Sequence, residues 1–302
     1  MSDPPSNALT VDVEDYYHVS AFESVIAPGT WDGLESRVEA NTRRALDLLA
    51  AYKLAATFFV LGWVAKRHPD LVRAVQAAGH EIACHGFQHR RILFQTPEAF
   101  RRDVASAKAL LEDITGQPIR GYRAPSYSIT PATAWALDIL IEEGFAYDSS
   151  VFPVVHDLYG FPGAPPYPHC IARPCGKILE FPPTTLRLNF LVRSLALPIA
   201  GGGYLRLFPG WFTRWGLARL ARDEGRPCAV YFHPWEIDPG QPRIKAGWKS
   251  RFRHYYNLEK MERRLRDLFE NMAFAPMGMV LAALEPLPVF SLERPLPASR
   301  LS

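Results

Sequence analysis

Cysteine is scarce in this sequence of 302 residues: four occur, at positions 84, 170, 175 and 228, and none belongs to a C-x-x-C pair. So low a count argues against a fold that depends on disulfide bridges. Cys170 and Cys175 have prolines nearby and could pair in an oxidising compartment. Free thiols in a cytoplasmic protein are the interpretation that we favour.

Long apolar runs and a strong net charge are also lacking. No run approaches the ~18 consecutive apolar residues that span a bilayer, so no integral membrane segment is expected. The opening "MSDPPSNALT" has neither a basic nor an apolar region, which predicts no secretory signal and a cytoplasmic location. A net charge of +3 is too mild to indicate a nucleic-acid partner.

Short apolar runs alternate with amphipathic helical patterns over the first 235 residues. The predicted order is strand "ALTVDV", helix "SRVEANTRRALDLLAAY", strand "AATFFVLG", helix "AKRHPDLVRAVQAAG", strand "HEIAC", helix "TPEAFRRDVASAKALLEDITG", strand "IRGYRA", helix "PATAWALDILIEEG" and strand "FAYDSS". This rhythm predicts an α/β fold with parallel strands and outer helices. Six or more such units favour a closed or distorted barrel over an open sheet.

The rhythm changes over residues 151–178, which are rich in Pro, Gly and aromatics and are predicted to form a long ordered loop. A strand "KILEFPPTTLRL", a helix "PGWFTRWGLARLARDEG", a final strand "PCAVYFHPWEID" and a helix near "LEKMERRLRDLFENM" follow. We interpret residues 1–285 as one catalytic domain. Its motifs occupy 8–236, its carboxy-terminal extension is 237–285, and a Pro-rich tail covers 286–302.

Three acids stand within four positions where the first strand ends: Asp12, Glu14 and Asp15. Asp12 and Glu14 point to the same side if the strand continues, because side chains alternate with a period of two. Such acids are often surface residues or helix caps. Their crowding is costly unless a cation lies nearby.

A candidate cation site follows the third strand, where "HEIACHGFQHR" contains His85 and His89. On one helical turn this i, i+4 spacing would direct both imidazoles at one ion. His80 precedes the strand and is interpreted as structural. Two imidazoles and a carboxylate, with a position left for water, are typical of a catalytic metal site.

Three further polar motifs also follow predicted strands. "GYRAPSY" contains Arg123, Pro125 and Tyr127, "YDSS" contains Asp148, and "VYFHPWE" contains His233. Taken singly, Arg123 would be interpreted as part of a structural ion pair, Asp148 as a turn residue and His233 as a core histidine. The carboxyl ends of the strands of a β/α barrel face one opening, however, so all five motifs are predicted to share one site.

As an ordered set, these motifs resemble the polysaccharide deacetylase (NodB-homology) family over residues 8–236. The set comprises Asp12-Val-Glu14-Asp15, His85-x-x-x-His89, Arg123-x-Pro125-x-Tyr127, Asp148 and His233. "DVEDYYHV", "HPWEIDP" and the extension resemble a subfamily from exopolysaccharide loci with exosortase systems. The resemblance implies a distorted (β/α)7 barrel of the NodB-homology type.

The resemblance also implies metal-dependent removal of N-acetyl groups from amino sugars. Asp12 would be the general base, and His85, His89 and either Glu14 or Asp15 would bind a divalent ion, with Zn²⁺ favoured. His233 would be the general acid, oriented by Asp148. Arg123 would hold the base, the Tyr127 amide would bind the oxyanion beside Pro125, and Trp235 would stack on sugar unless it is a core residue.

Two departures from the family pattern bear on the metal site. The usual adjacent Asp-Asp is replaced by Asp-Val-Glu-Asp, so strand alternation favours Glu14 as ligand whereas adjacency favours Asp15. Gly86 stands where a Ser or Thr normally follows the first metal histidine. A hydroxyl that would brace the metal loop is therefore missing.

The favoured function is N-deacetylation of a bacterial polysaccharide or of its lipid-linked precursor. The alternatives are hydrolysis of another C–N amide, such as a cyclic ureide, and non-catalytic carbohydrate binding on a degenerate barrel. The basic stretch 245–264 is interpreted as a solvated helix face. Peripheral contact with lipid phosphate or an anionic membrane is the alternative for that stretch.

Overall fold

The computed structural model describes residues 7–156, 159–189 and 194–292. Its strands are β1 (Asn7–Val13), β2 (Thr57–Val60), β3 (Glu81–Cys84), β4 (Gly121–Tyr122), β5 (Tyr147–Asp148), β6 (His169–Arg173), β7 (Gly176–Glu180), β8 (Thr185–Asn189), β9 (Ser194–Pro198), β10 (Ala229–Phe232), β11 (Phe274–Ala275) and β12 (Val289–Ser291). Its α-helices are α1 (Val38–Ala51), α2 (Gly62–Arg67), α3 (Pro69–Ala77), α4 (Pro97–Thr115), α5 (Trp135–Glu142), α6 (Gly202–Leu207), α7 (Gly210–Glu224), α8 (Trp248–Tyr255), α9 (Leu258–Asn271) and α10 (Met277–Leu284).

The main sheet is mostly parallel and follows the order β10-β1-β2-β3-β4-β5-β7-β6-β12, with β11 also paired to β1. Only β6 and β7 pair antiparallel within the described part of this sheet. Strands β8 and β9 form a separate hairpin. The predicted α/β fold with a parallel sheet is confirmed.

In the described residues, no backbone hydrogen bonds join β10 to β7 as neighbouring strands. The structure therefore does not show the closed barrel that the sequence predicts. A side chain bridges this gap instead. The Thr184 hydroxyl, just beyond β7, donates to the carbonyl of Ala229 in β10 at 3.0 Å and accepts from its amide at 2.8 Å.

Strand β1 pairs with β10, β2 and β11 and is buried along its whole length. Leu9, Val11 and Val13 pack into the main apolar core. Ala8 belongs instead to a smaller inner cluster with Phe59 and its neighbours. Side chains alternate along a strand, so Asp12 points to the same inner side as Ala8.

Helix α4 begins and ends as its sequence predicts. The Thr96 side chain accepts a hydrogen bond from the amide of Ala99 at 3.2 Å, and Pro97 occupies the first turn. Gly116 ends the helix in the left-handed conformation, with a φ of 62°. These residues fix the helix that flanks the candidate metal loop.

Several sequence predictions differ from the structure beyond residue 150. The predicted loop 151–178 contains β6, and the predicted strand "KILEFPPTTLRL" is two strands because Pro182 and Pro183 interrupt its ladder. Strand β12 lies inside the predicted tail 286–302, whose residues 293–302 are outside the described ranges. All four cysteines are free. No helix in the described ranges is long and apolar enough to cross a membrane.

Candidate active site

The carboxylate of Asp12 is held from inside the sheet by Arg123. Arg123 Nη1 lies 2.6 Å from Asp12 Oδ1 and also donates to the Thr10 hydroxyl at 2.8 Å. Its Nη2 donates to the Ser149 hydroxyl at 2.9 Å. Both charged side chains are almost fully buried, so the paired geometry offsets the cost of their desolvation.

Glu14, His85 and His89 form a cluster whose potential ligand atoms all lie within 4.8 Å of one another. Glu14 Oε2 is 2.7 Å from His89 Nε2. Nδ1 of His85 is 2.8 Å from the carbonyl oxygen of Arg123, which leaves its Nε2 to face the cluster. The histidines lie on a loop and not on the helical turn that we predicted, because His89 has a φ of 50°.

The chemistry of this cluster fits a divalent metal. Glu14 Oε2 is buried and has no hydrogen bond in the described structure, although it lies against an imidazole nitrogen. Burial opposes ionisation of Glu14, but His89 and His233 outweigh it and lower its pKa. Burial also lowers the pKa of His85 to about 4, so its imidazole is neutral near pH 7 and can act as a ligand.

Asp15, the alternative acidic ligand, lies elsewhere. Its Oδ2 accepts hydrogen bonds from the Ser36 hydroxyl at 2.8 Å and from the amides of Arg37 and Val38 at 2.8 and 3.0 Å. It therefore binds the amino end of α1 as a capping carboxylate does. The prediction of Asp15 as a metal ligand is wrong, and Glu14 is the acid in the cluster.

The loop that carries both histidines is braced by Asp103 from α4. Asp103 Oδ2 accepts from the amide of Phe87 at 2.8 Å, and burial raises the pKa of this carboxyl group. Gly86 has a φ of 75°, and a Cβ atom there would lie 3.0 Å from Asp103 Oδ2. Asp103 thus takes the bracing role that a Ser or Thr at position 86 would have. No sequence motif had indicated this residue.

His233 lies across the cavity floor from these acids. Its Nε2 is 3.5 Å from Glu14 Oε1 and 3.9 Å from Asp12 Oδ2. Its Nδ1 is 2.9 Å from Glu236 Oε2, which also accepts from the His233 amide at 3.0 Å. Burial disfavours the imidazolium, but Glu14 and Glu236 outweigh it and raise the pKa of His233 to about 9.

The predicted orientation of His233 by Asp148 is wrong. Asp148 Oδ1 accepts from the Ser150 hydroxyl at 2.6 Å, and the Asp148 and Glu180 carboxyl groups are close enough to influence each other's pKa. Glu236 is the residue that orients the imidazole. The signal for it was present in "HPWE", because a proline turn brings residues three apart together.

A buried arginine from α6 supports this pair. Arg206 Nε lies 2.7 Å from Glu236 Oε1, and its Nη1 donates to the carbonyl oxygens of His254 and Tyr256 at 2.8 and 2.9 Å. The side chain is almost completely buried. Arg206 had no recognisable sequence motif, because all its partners come from distant segments.

The Tyr127 amide is already engaged. It donates to the carbonyl of Ala124 at 2.9 Å across the turn that Pro125 begins. Ser126 and Tyr127 both have positive φ, near 55° and 53°, a conformation that non-glycine residues adopt at a cost. The structure therefore does not support the predicted oxyanion role of this amide, although the Tyr127 ring lines the cavity.

Trp235 is not an open platform for a sugar ring. It is 4% exposed, and its indole stacks on His254 with a centroid distance of 4.1 Å. Its Nε1 donates to Glu14 Oε1 at 3.3 Å. Of the two interpretations left open for Trp235, the structure supports the core residue, because the side chain packs behind the candidate ligand.

The site opens into a cavity of about 500 Å³. Asp12, Glu14 and the histidines form its polar floor. The walls are largely aromatic and comprise, among others, Tyr127, Tyr159, Tyr204, Tyr231, Phe252 and Tyr256. The arrangement combines a candidate metal site, a carboxylate base and a charged imidazole in one pocket, which is a set suited to hydrolysis.

Two family models match different segments of the chain. Residues 27–140 match the family model of polysaccharide deacetylases, and residues 149–282 match that of a domain of unknown function (DUF3473). A peptidoglycan deacetylase of Helicobacter pylori is 29% identical over 113 residues, covering 37% of this chain and 38% of that protein. A chitooligosaccharide deacetylase of Rhizobium leguminosarum bv. trifolii is 39% identical over 87 residues, covering 28% and 40%.

Both comparisons support the polysaccharide deacetylase family. The chain spans about two fifths of the length of these curated relatives. The polysaccharide deacetylase match contains His85, His89 and Arg123, whereas the match of unknown function contains His233 and Glu236. The subfamily from exopolysaccharide loci stays a prediction.

Solved structures agree with the predicted fold type. A Mycobacterium smegmatis protein assigned to the polysaccharide deacetylases has a TM-score of 0.65 and 20% identity, over 98% of this chain and 96% of that one. An allantoinase, Puue, has a TM-score of 0.58 and 17% identity, over 94% and 96%. These likenesses confirm the NodB-type fold.

Proposed function

We propose that the protein is a metal-dependent N-deacetylase that acts on an N-acetylhexosamine unit of a bacterial polysaccharide or of its lipid-linked precursor. One observation supports this above the others. The cluster of Glu14, His85 and His89 lies at the floor of the same cavity as Asp12 and His233. An amide hydrolase needs a base, an acid and an electrophile within reach of one bond.

Asp12 would act as the general base. Arg123 holds Oδ1, while Oδ2 lies on the side of His233 and remains available to take a proton from water. A divalent metal bound by Glu14, His85 and His89 would supply Lewis-acid polarisation and acidify a water. Zinc suits two imidazoles and one carboxylate.

His233 would act as the general acid. The amine leaving group of an amide must be protonated as the C–N bond breaks, and a charged imidazole can donate that proton. Glu236 holds Nδ1 and so directs Nε2 towards the cavity. Arg206 in turn holds Glu236, which keeps the acid in one orientation.

The aromatic walls support a saccharide as substrate. Tyr159 and Tyr204 share a hydroxyl contact of 2.8 Å on one side of the cavity. Faces of such rings can pack against the apolar faces of a sugar. The polymer, its lipid-linked form and the expected cytoplasmic location stay predictions.

An acetate-release assay tests the proposal. Purified protein would be stripped of metal, reloaded with Zn²⁺ and incubated with N-acetylglucosamine oligomers and, separately, with a cyclic ureide. We expect acetate from the oligomers only after reloading, and a large loss in Asp12→Asn. Ureide hydrolysis without acetate release would favour the alternative amidohydrolase, and sugar binding without any hydrolysis would favour a non-catalytic module.

A further inference from the structure

Large apolar side chains project into solvent beside the cavity mouth, on helices α6, α7 and α8. Trp211 is 64% exposed and Trp248 is 74% exposed. Leu207, Trp215 and Phe252 are also exposed. We name these five residues the mouth surface. Single exposed apolar residues are ordinary, but a group that borders a pocket marks an interaction site.

The mouth surface is continuous with the cavity. Leu207 and Phe252 line the cavity itself, and Phe252 and Trp248 together line the neighbouring depression. On α7, the rings of Phe212 and Trp215 lie 5.7 Å apart, and Phe208 connects them to the cavity-lining Tyr204 through ring distances of 5.1 and 6.4 Å. Arg206 fixes α6 against the end of α8 through its bonds to backbone carbonyl groups. The helices therefore present one connected surface.

The segments that carry this surface contain basic but no acidic side chains. Residues 202–219 and 243–256 contain no Asp or Glu. The second segment carries five exposed basic side chains, which are Arg243, Lys245, Lys249, Arg251 and Arg253. Within the described ranges, none of these five forms an ion pair with a carboxylate. Cations without a carboxylate partner beside exposed tryptophans suit an anionic surface.

We propose that the mouth surface binds peripherally to a lipid bilayer that contains anionic lipids, with the cavity opening at the level of the headgroups. Tryptophan is typical of the interfacial region of a bilayer, and lysine and arginine attract acidic lipids. Leu207 favours a lipid over a polysaccharide, because an aliphatic side chain offers no ring face for stacking on sugar. The proposal goes beyond N-deacetylation and does not depend on it.

Vesicle sedimentation of the full chain tests this proposal. Binding is measured on phosphatidylcholine vesicles with and without phosphatidylglycerol, at low and high salt. We expect binding only with phosphatidylglycerol, and weaker binding at high salt because the charges are exposed. Lys249→Gln with Arg251→Gln should lower the partition coefficient about 25-fold, since each basic residue near an anionic surface contributes about fivefold. Trp211→Ser with Trp248→Ser should lower it also.

Matched control substitutions lie at the end of the sheet where the parallel strands begin, opposite the strand ends that form the site. Met279 is 64% exposed on α10, whose amino end contacts the start of β2, and Arg120 is exposed just before β4. Met279→Ser with Arg120→Gln should bind vesicles like the unsubstituted protein. Every variant should release acetate from soluble oligomers at the unsubstituted rate, which shows that it is folded and separates this test from that of the enzyme activity.

Three results would overturn the proposal. The first is no binding to phosphatidylglycerol vesicles by the unsubstituted chain. The second is an equal loss in the control variant. The third is unchanged vesicle binding by the tryptophan variant together with the loss of another property. That property would be affinity for a soluble polysaccharide, or self-association measured by sedimentation velocity. The last result would reassign the surface to sugar or to a second copy of the chain.

Discussion

Nδ1 of His233 lies 2.9 Å from Oε2 of Glu236, three residues further along the same turn. The carboxylate stabilises the imidazolium, and with Glu14 it raises the pKa of His233 to about 9 in spite of burial. Glu236→Gln should lower this pKa. The alkaline limb of the pH-rate profile, where His233 loses its proton, should then move to lower pH, which acetate release over a pH series measures.

The alkaline limb should move to lower pH because His233 must carry its proton in order to act as the general acid. A general acid works while protonated, so a raised pKa extends activity to higher pH and a lowered pKa loses it earlier. Glu259 is an exposed glutamate on α9. Glu259→Gln should leave the alkaline limb in place. An unchanged limb in Glu236→Gln would show that the contact does not tune the acid.

Removal of the imidazole should affect amides more than activated esters. His233→Ala should lower acetate release from an N-acetyl substrate by about 10²–10⁴-fold. An aryl acetate needs little protonation of its leaving group and should lose much less. Metal content, measured on the same sample, should stay intact. Equal losses on both substrates would identify His233 as a packing residue.

Substitutions of the three acids at the end of β1 should differ in their effect on metal content. Glu14→Gln and His85→Ala should lower both metal content and activity, because each removes a ligand. Asp15→Asn should keep the metal and instead lower the free energy of unfolding by about 1 kcal/mol, as loss of a helix cap does. Asp12→Asn should keep the metal and lose turnover. Metal loss in Asp15→Asn with retention in Glu14→Gln would reverse the assignment.

Asp103 should matter for metal affinity although it touches no metal ligand side chain. Asp103→Ala removes the acceptor of the Phe87 amide, which loosens the loop that holds both histidines. Loss of such an outer partner typically costs about 10–100-fold in metal affinity. Competition with a chelator measures this affinity. Asp113→Ala, an exposed aspartate on the same helix, is the matched control and should change nothing.

The buried carboxyl pair of Asp148 and Glu180 should make stability depend on pH. Burial and the neighbouring Asp148 raise the pKa of Glu180 well above 4.5, and burial raises that of Asp148 to about 6. The folded state then keeps protons that the unfolded state loses, so stability falls as pH rises through the folded pKa values. Glu180→Gln removes one such proton. The stability of the unsubstituted protein relative to this variant should therefore fall as pH rises above about 4.5, by at most about 1.4 kcal/mol per pH unit.

Denaturant unfolding at several pH values measures this difference. A difference that stays constant with pH would show that Glu180 has an ordinary pKa in the folded protein. A difference that grows in favour of the unsubstituted chain would show that the carboxylate is stabilised by a cation.

The strand-end motifs could be predicted from sequence because their position depends on local alternation. Asp12 and Glu14 both face inwards, and Arg123 and His233 follow their strands as expected. The partners of His233 could not be derived in this way. Asp148 ends β5 and Glu236 lies in the turn after β10, and although the spacing in "HPWE" is compatible with a contact, only the folded chain decides which carboxyl group reaches the imidazole.

Residues that act through long-range contacts were missed for the same reason. Arg206 bonds to Glu236 and to backbone groups of residues 253–256, and Asp103 bonds to a loop that comes earlier in the chain. A side chain whose partners are all distant leaves no periodic pattern in its own segment. The role of Trp235 could not be decided from the sequence, because a strand-end aromatic can face either a substrate or the core.

The pairing of β1 with β10 has a consequence for synthesis of the chain. Thr10 aligns with Tyr231, so the first strand obtains one of its two principal neighbours only when more than two thirds of the chain has been made. Glu14, His85 and His89 all belong to the first third. On the ribosome the nascent chain can thus gather these three candidate ligands long before His233 emerges. We expect the proposed metal binding to precede hydrolytic competence by the time needed to translate the remainder.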